Sequence, residues 1–174
     1  MQKLRRVCPD IQGIRGEIKM EIKEVINEKL IELDFEASSK EEVLNYMVEM
    51  FYKNGVITSP QEFAKDVFER EKLGTTGVGM GIAIPHGKSK AVLKESIAIL
   101  KLKRPIEWES LDGKPVSMVI MLAVPEKDAD TVHLKLLSRL AYFLMDDAFR
   151  DELMKAKDKK EILKLIEKKE LEVA

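Results

Sequence analysis

The sequence predicts an α/β fold: one domain with a central mixed β-sheet flanked by helices on both faces. Three observations carry that expectation. Two near-continuous apolar runs, at residues 97–102 and 116–124, mark strands buried on both faces. Serine-led capping signatures at Ser39 and Ser59 open helices ahead of them. Helical periodicity then returns after residue 130. A sheet with apolar residues on both faces and amphipathic helices before and after it is satisfied by a layered arrangement.

The elements follow in order. Ile18, Ile22, Val25 and Ile26 recur at helical spacing, and Ile31, Leu33 and Phe35 alternate as a strand does. Ser39-Lys40-Glu41-Glu42 is a capping-box pattern, followed by Val43, Met47, Met50 and Phe51 on one helix face and closed by Gly55. Ser59-Pro60-Gln61-Glu62 repeats the device with proline at the first helical position; this helix buries Phe63, Val67 and Phe68 and runs toward Arg70. After the two strands, a helix beginning near Asp130-Thr131 places Leu134, Leu137, Leu140, Ala141 and Leu144 on one side. Phe149 with Leu153, and Ile162 with Leu163 and Ile166, belong to two further helices, the last capped by Asp158. Residues 1–19 stand apart, because Cys8-Pro9-Asp10, Gly13 and Gly16 break any regular pattern. They are expected to form a poorly ordered extension without chemistry, leaving residues 20–174 as the domain.

Composition narrows the function. A chain of 174 residues with 45% hydrophobic content suffices for one buried core. Charged residues make up 35% but cancel to a net −1, which supplies no electrostatic case for nucleic acid. Lys157, Lys159, Lys160, Lys164, Lys168 and Lys169 interleave with Asp158, Glu161, Glu167 and Glu170, as on a solvated helix face. The single cysteine, Cys8, excludes an intrachain disulfide and fits a reducing compartment. No apolar run approaches the ~18 residues of a membrane span, and Lys3, Arg5 and Arg6 are not followed by the apolar core of a signal peptide. The expectation is a free-standing cytoplasmic protein.

The chemistry concentrates in Gly77-Val78-Gly79-Met80-Gly81-Ile82-Ala83-Ile84-Pro85-His86-Gly87-Lys88. Glycines let the main chain pass close to a ligand, and Pro85 fixes φ and ends a short strand just before His86, one of only two histidines. Met80, Ile82 and Ile84 read as strand core, and Met80 also as apolar surface beside the site. A dinucleotide fingerprint fails, because isoleucine stands in its sixth place and a strand follows. A P-loop fails too: Gly87-Lys88-Ser89 has the closing tripeptide, but Ile82 stands where the first glycine belongs. Two histidines and a remote cysteine do not make a conventional zinc set, so neither metal nor cofactor is expected. Phosphoryl transfer through histidine uses more of the residues. It needs a neutral imidazole nitrogen in line with phosphorus, a cation for the non-bridging oxygens and a donor to orient them. Arg70 has the planar fork suited to phosphate. His133, close to a helix start, would be kept neutral by the positive end of the dipole and could donate one hydrogen bond. Trp108 and the Leu111-Asp112-Gly113 turn read as structural.

The stretch from Glu69 through Arg70-Glu71-Lys72-Leu73-Gly74 to Ile84-Pro85-His86 resembles the enzyme IIA domains of the bacterial sugar phosphotransferase system, in the fructose and mannitol subfamily. Trp108-Glu109-Ser110-Leu111-Asp112-Gly113-Lys114-Pro115-Val116, Ile120-Met121-Leu122-Ala123-Val124-Pro125-Glu126 and His133-Leu134-Lys135-Leu136-Leu137-Ser138 look like its later signatures, so the resemblance covers about residues 20–170. It implies that His86 accepts a phosphoryl group from the histidine-containing phosphocarrier protein and passes it to a cysteine of enzyme IIB. It also implies that His133 and Arg70 complete the site, and that the membrane is reached only indirectly, through enzyme IIC. The sugar implied is fructose. The alternatives are a nitrogen-regulatory IIA, whose phosphorylation state controls partners, and a binding module that keeps the fold without the phosphorylation.

Overall fold

The run at 116–124 folds as the inner strand of a mixed sheet, and its side chains alternate between two cores. Val119, Met121 and Ala123 point to one, and Met118, Ile120, Leu122 and Val124 to the other. The structure, a computed structural model, describes residues 21–173, without the side chains of residues 128–130 and 132; the extension at 1–19 lies outside the described residues.

The strands are β1 (Ile31–Phe35), β2 (Gly77–Gly79), β3 (Ile82–Ala83), β4 (His86–Ser89), β5 (Ser96–Ile106) and β6 (Val116–Pro125). Their order is β1-β5-β6-β3-β2, with β4 following β3 along the same side of β6. β5 pairs with β6, and β2 with β3, antiparallel; β1 on β5, and both β3 and β4 on β6, are parallel. β5 outruns the apolar segment at 97–102, continuing through Lys103, Arg104 and Pro105 until Ile106 meets Val116. The register is irregular on the way, five residue steps of β5 from Lys101 to Ile106 spanning two of β6 from Met118 to Val116.

Helices α1 (Lys40–Lys53) and α2 (Pro60–Leu73) cover one face, and α3 (Ala129–Leu144), α4 (Asp147–Lys155) and α5 (Lys159–Glu172) the other. The serine caps form as expected: Ser39 Oγ accepts from Glu42 N and Ser59 Oγ from Glu62 N, each at 3.2 Å. A cap of this kind contributes about 1 kcal/mol. The first box closes one residue early, since the Glu42 carboxylate takes the backbone N–H and hydroxyl of Ser38 instead of Ser39 N. Phe51 of α1 meets Phe63 of α2 edge to face, with centroids 5.7 Å apart. Asp158 caps α5 as expected. Asp146 caps α4 by accepting from Ala148 N and Phe149 N, a contact no sequence signal had marked.

Two expectations need correction. The helical spacing of Ile22, Val25 and Ile26 does not produce an α-helix: residues Ile22–Glu24 make one 3₁₀ turn. The buried Glu170 of α5 accepts the backbone N–H groups of Ile22 and Lys23, and Asn27 starts a second turn by accepting from Lys29 N. Ile22, Val25 and Ile26 still enter the core. On α3 the buried stripe is His133, Leu136, Leu140, Phe143 and Leu144, while Leu134 is 63% exposed and Ala141 also faces outward. The expected face was rotated toward the solvent.

Candidate functional site

The strand interruption that the proline imposes is what places His86. After β3 the chain steps out of the ladder at Ile84-Pro85; Ile84 N–H turns to Thr76 C=O at 2.9 Å, and Pro85, with no N–H, offers its carbonyl to Leu122 N at 3.0 Å. Pairing resumes at His86, level with Leu122. Neighbouring residues of a parallel pair share a face, so the imidazole lies on the α3 side and the next residue, Gly87, on the α2 side.

The partners of the ring define its protonation. Nδ1 is 3.1 Å from Ile84 C=O, and Nε2 is 3.1 Å from Nε of Arg70. A carbonyl can only accept and a guanidinium can only donate, so Nδ1 carries the proton and Nε2 the lone pair. Burial, above all, holds His86 below the ordinary histidine value; the Arg70 and Lys88 charges add to the depression, and the Ile84 carbonyl and Glu71 oppose it. The result is a neutral imidazole, only 6% exposed, with its nucleophilic nitrogen directed at a cation.

Arg70 reaches the ring because α2 packs tightly on β4. Phe63, Val67 and Arg70 form one helical stripe at i, i+4 and i+7. The first two press on Gly87, where a β-carbon would lie 2.7 Å from Phe63 Cε2 and 2.9 Å from Val67 Cγ2. The third passes the sheet edge to His86. Its Nη1 also donates to Gly74 C=O at 2.8 Å, fixing the guanidinium to the end of its own helix.

His133 stands across the ring, with imidazole centroids 4.4 Å apart and planes tilted by 36°. Sequence reasoning placed it at a helix start. Because α3 begins at Ala129, His133 is in its second turn, beyond the free N–H groups. Its position comes instead from the buried stripe of α3, which faces the sheet.

Arg70, His86 and His133 are therefore brought together, and Met80 is not. Met80 (φ 58°) and Gly81 (φ 77°) form the two-residue turn between β2 and β3; Met80 is 52% exposed, so it is not core. Ile82 pairs with Met118 and His86 with Leu122, so four residues of strand, about 13 Å, separate this hairpin end from the imidazole. Exposed apolar side chains nearer the site are Leu73, next to Gly74, and Leu134, next to His133. Trp108 is fully buried, as expected of a structural residue. Sequence reasoning missed Gly87, whose signal was the i, i+4, i+7 stripe on α2 facing a residue without a side chain. Among the described residues, no group of three or more His, Cys, Asp or Glu is placed to hold a metal ion, and no helix is long and apolar enough to cross a membrane.

Residues 24–169 match the family described as the phosphoenolpyruvate-dependent sugar phosphotransferase system, EIIA 2. The fructose-specific EIIABC component of Bacillus subtilis is 37% identical over 147 residues, covering 84% of this chain and 23% of that protein. The chain thus spans about a quarter of the length of the curated relatives it matches first. A nitrogen regulatory protein of Bradyrhizobium diazoefficiens is 36% identical over 149 residues, covering 84% of this chain and 95% of that one. Among solved structures, the nitrogen regulatory protein IIA-Ntr of Neisseria meningitidis superposes with a TM-score of 0.78 at 33% identity, covering 83% of this chain and 98% of that chain. The match across nearly all of the described residues, with the same mixed sheet, means that the chain belongs to the EIIA 2 family of the sugar phosphotransferase system.

Proposed function

We propose that the protein is a cytoplasmic phosphoryl carrier, with His86 Nε2 as the acceptor atom. The observation that carries this reading is the approach of Arg70 Nε to that nitrogen while Ile84 C=O retains the proton on the other. An incoming phosphoryl group displaces the guanidinium from Nε2 and is met by it at the phosphoryl oxygens. The donor's N–P bond breaks as the Nε2–P bond forms, and Nδ1–H stays on Ile84. His133, stacked beside the ring, hydrogen-bonds a phosphoryl oxygen. On transfer to a cysteine thiolate the electron pair returns to Nε2 and no further reactant is needed. The donor is the histidine-containing phosphocarrier protein, the recipient a cysteine of enzyme IIB, itself joined to the membrane component, and fructose is the sugar. Neither metal nor nucleotide enters this scheme. The working domain is residues 20–174, with residues 1–19 contributing no chemistry.

Incubation with phosphoenolpyruvate, enzyme I and the phosphocarrier protein tests the reading. Intact-mass spectrometry should record one added, acid-labile phosphate, and none on His86→Ala; full labelling of that variant refutes the assignment. A second reading, regulation of partners through the phosphorylation state, is supported by the nitrogen regulatory relatives, one of which matches at 36% identity against 37% for the fructose-specific component. It uses the same site and differs only in who receives the phosphate.

A further inference from the structure

We infer that Glu71 is the positioning residue of this site, holding both Arg70 and His86 through one buried network. The inference rests on the carrier reading and adds to it a residue that touches neither the imidazole nor the phosphoryl group.

Glu71 follows Arg70 in the last turn of α2, and its side chain is only 6% exposed. Nζ of Lys40, the first residue of α1, lies 2.6 Å from its Oε2. Its Oε1 accepts the hydroxyl of Thr76. That hydroxyl accepts in turn from Trp108 Nε1 at 3.3 Å, and Lys40 Nζ sits 5.2 Å over the centroid of the same indole. Thr75 closes the ring of contacts by donating its hydroxyl to Trp108 C=O at 3.2 Å.

The two ends of this network arrive at the two reacting partners. At one end, the carboxylate prevents the terminal turn of α2 from rotating or fraying, and Arg70 is the adjacent residue of that turn. At the other end, Thr76 C=O takes Ile84 N–H, and Ile84 C=O takes Nδ1 of His86. Glu71 therefore fixes the cation and also the carbonyl that sets the imidazole tautomer. A buried ion pair is a poor way to gain stability, because desolvation offsets much of the attraction and an apolar pair often serves as well. It is a good way to hold a geometry, because Oε1 accepts the Thr76 hydroxyl while Oε2 is paired with the Lys40 ammonium. In-line transfer depends on such fixing, since a displacement of about 1 Å can cost about 10²-fold in rate.

Single-turnover transfer from the phosphorylated histidine-containing phosphocarrier protein tests this, with Glu71→Gln measured in the wild-type and Arg70→Ala backgrounds. Glu71→Gln should lower the saturated rate about tenfold in the first background and by a clearly smaller factor in the second, where only the arm through Thr76 remains. The donor concentration for half-saturation should stay within twofold. Thr76→Val should lose rate likewise and Thr76→Ser should restore it, a pair that decides the question even where Glu71→Gln folds poorly. Equal losses in both backgrounds, or a Thr76→Val rate within twofold of wild type, overturn the positioning role. Label retained on His86→Ala overturns the carrier reading itself, independently of any Glu71 result.

Discussion

Gly87 and Phe63 are in contact without space for a methyl group, since a β-carbon on Gly87 would lie 2.7 Å from Phe63 Cε2. Val67 closes the other side at 2.9 Å. The distance between α2 and β4, and with it the reach of Arg70, is therefore set by an absent side chain.

Gly87→Ala should accordingly force α2 outward. Overpacking of this kind costs about 1–3 kcal/mol, and the transfer rate should fall further than the loss of folded protein explains, because Arg70 moves with the helix. Denaturant unfolding alongside single-turnover transfer measures both. A variant of unchanged stability and rate would mean that the contact yields without moving Arg70.

Arg70→Ala and His133→Ala should remain folded and transfer slowly. Each removes a group proposed to stabilise phosphoryl oxygens, and loss of one such donor costs about 10²–10³ in rate at comparable electrostatic sites. Circular dichroism establishes the fold and quenched-flow labelling the rate. Rates within twofold of wild type would leave His86 as the sole member of the site.

The pH dependence follows from the depressed His86 pKa, caused chiefly by burial and then by the nearby cations, against an ordinary value of 6.5. The neutral nucleophile should persist as pH falls through 6.5, so the transfer rate should hold its plateau there and decline only below it. In stability the sign is that of a depressed group. The contribution is fully present above 6.5 and is lost as pH falls through the lower folded-state value. Arg70→Ala removes one lowering charge and should raise the His86 pKa. Nuclear magnetic resonance titration of the ring protons measures this, and an unchanged or lower value would contradict the contact.

Transfer onward separates the sugar and regulatory readings. Protein labelled on His86 should lose its phosphate to a purified fructose-type enzyme IIB within the lifetime of a transient complex. Truncating Leu73 or Leu134 to alanine should slow that transfer more than it changes folding, since both are exposed beside the site. Label that stays on His86 with every sugar-type enzyme IIB would favour the regulatory role.

What the sequence made legible is what local chemistry decides. Ser39, Ser59 and Asp158 capped helices where expected, because a cap joins residues two or three apart. The segment from Ile22 to Ile26 was not legible, because the N–H groups of Ile22 and Lys23 are claimed by Glu170, 148 residues from Ile22. Met80 was misread as strand core because flanking glycines and apolar neighbours do not distinguish a strand from a turn that demands positive φ at two successive residues. At the site, the residue types pointed to Arg70, His86 and His133. The reason His133 faces the ring lay in the phase of α3, which reading from Leu134 instead of Leu136 obscured. The network through Glu71 joins three separate segments and left no local pattern to find.

The grip of Glu170 on Ile22 and Lys23 has a consequence for how such a domain is carried. It brings the first and last described segments to one corner, so a longer polypeptide can enter and leave the domain at a single point.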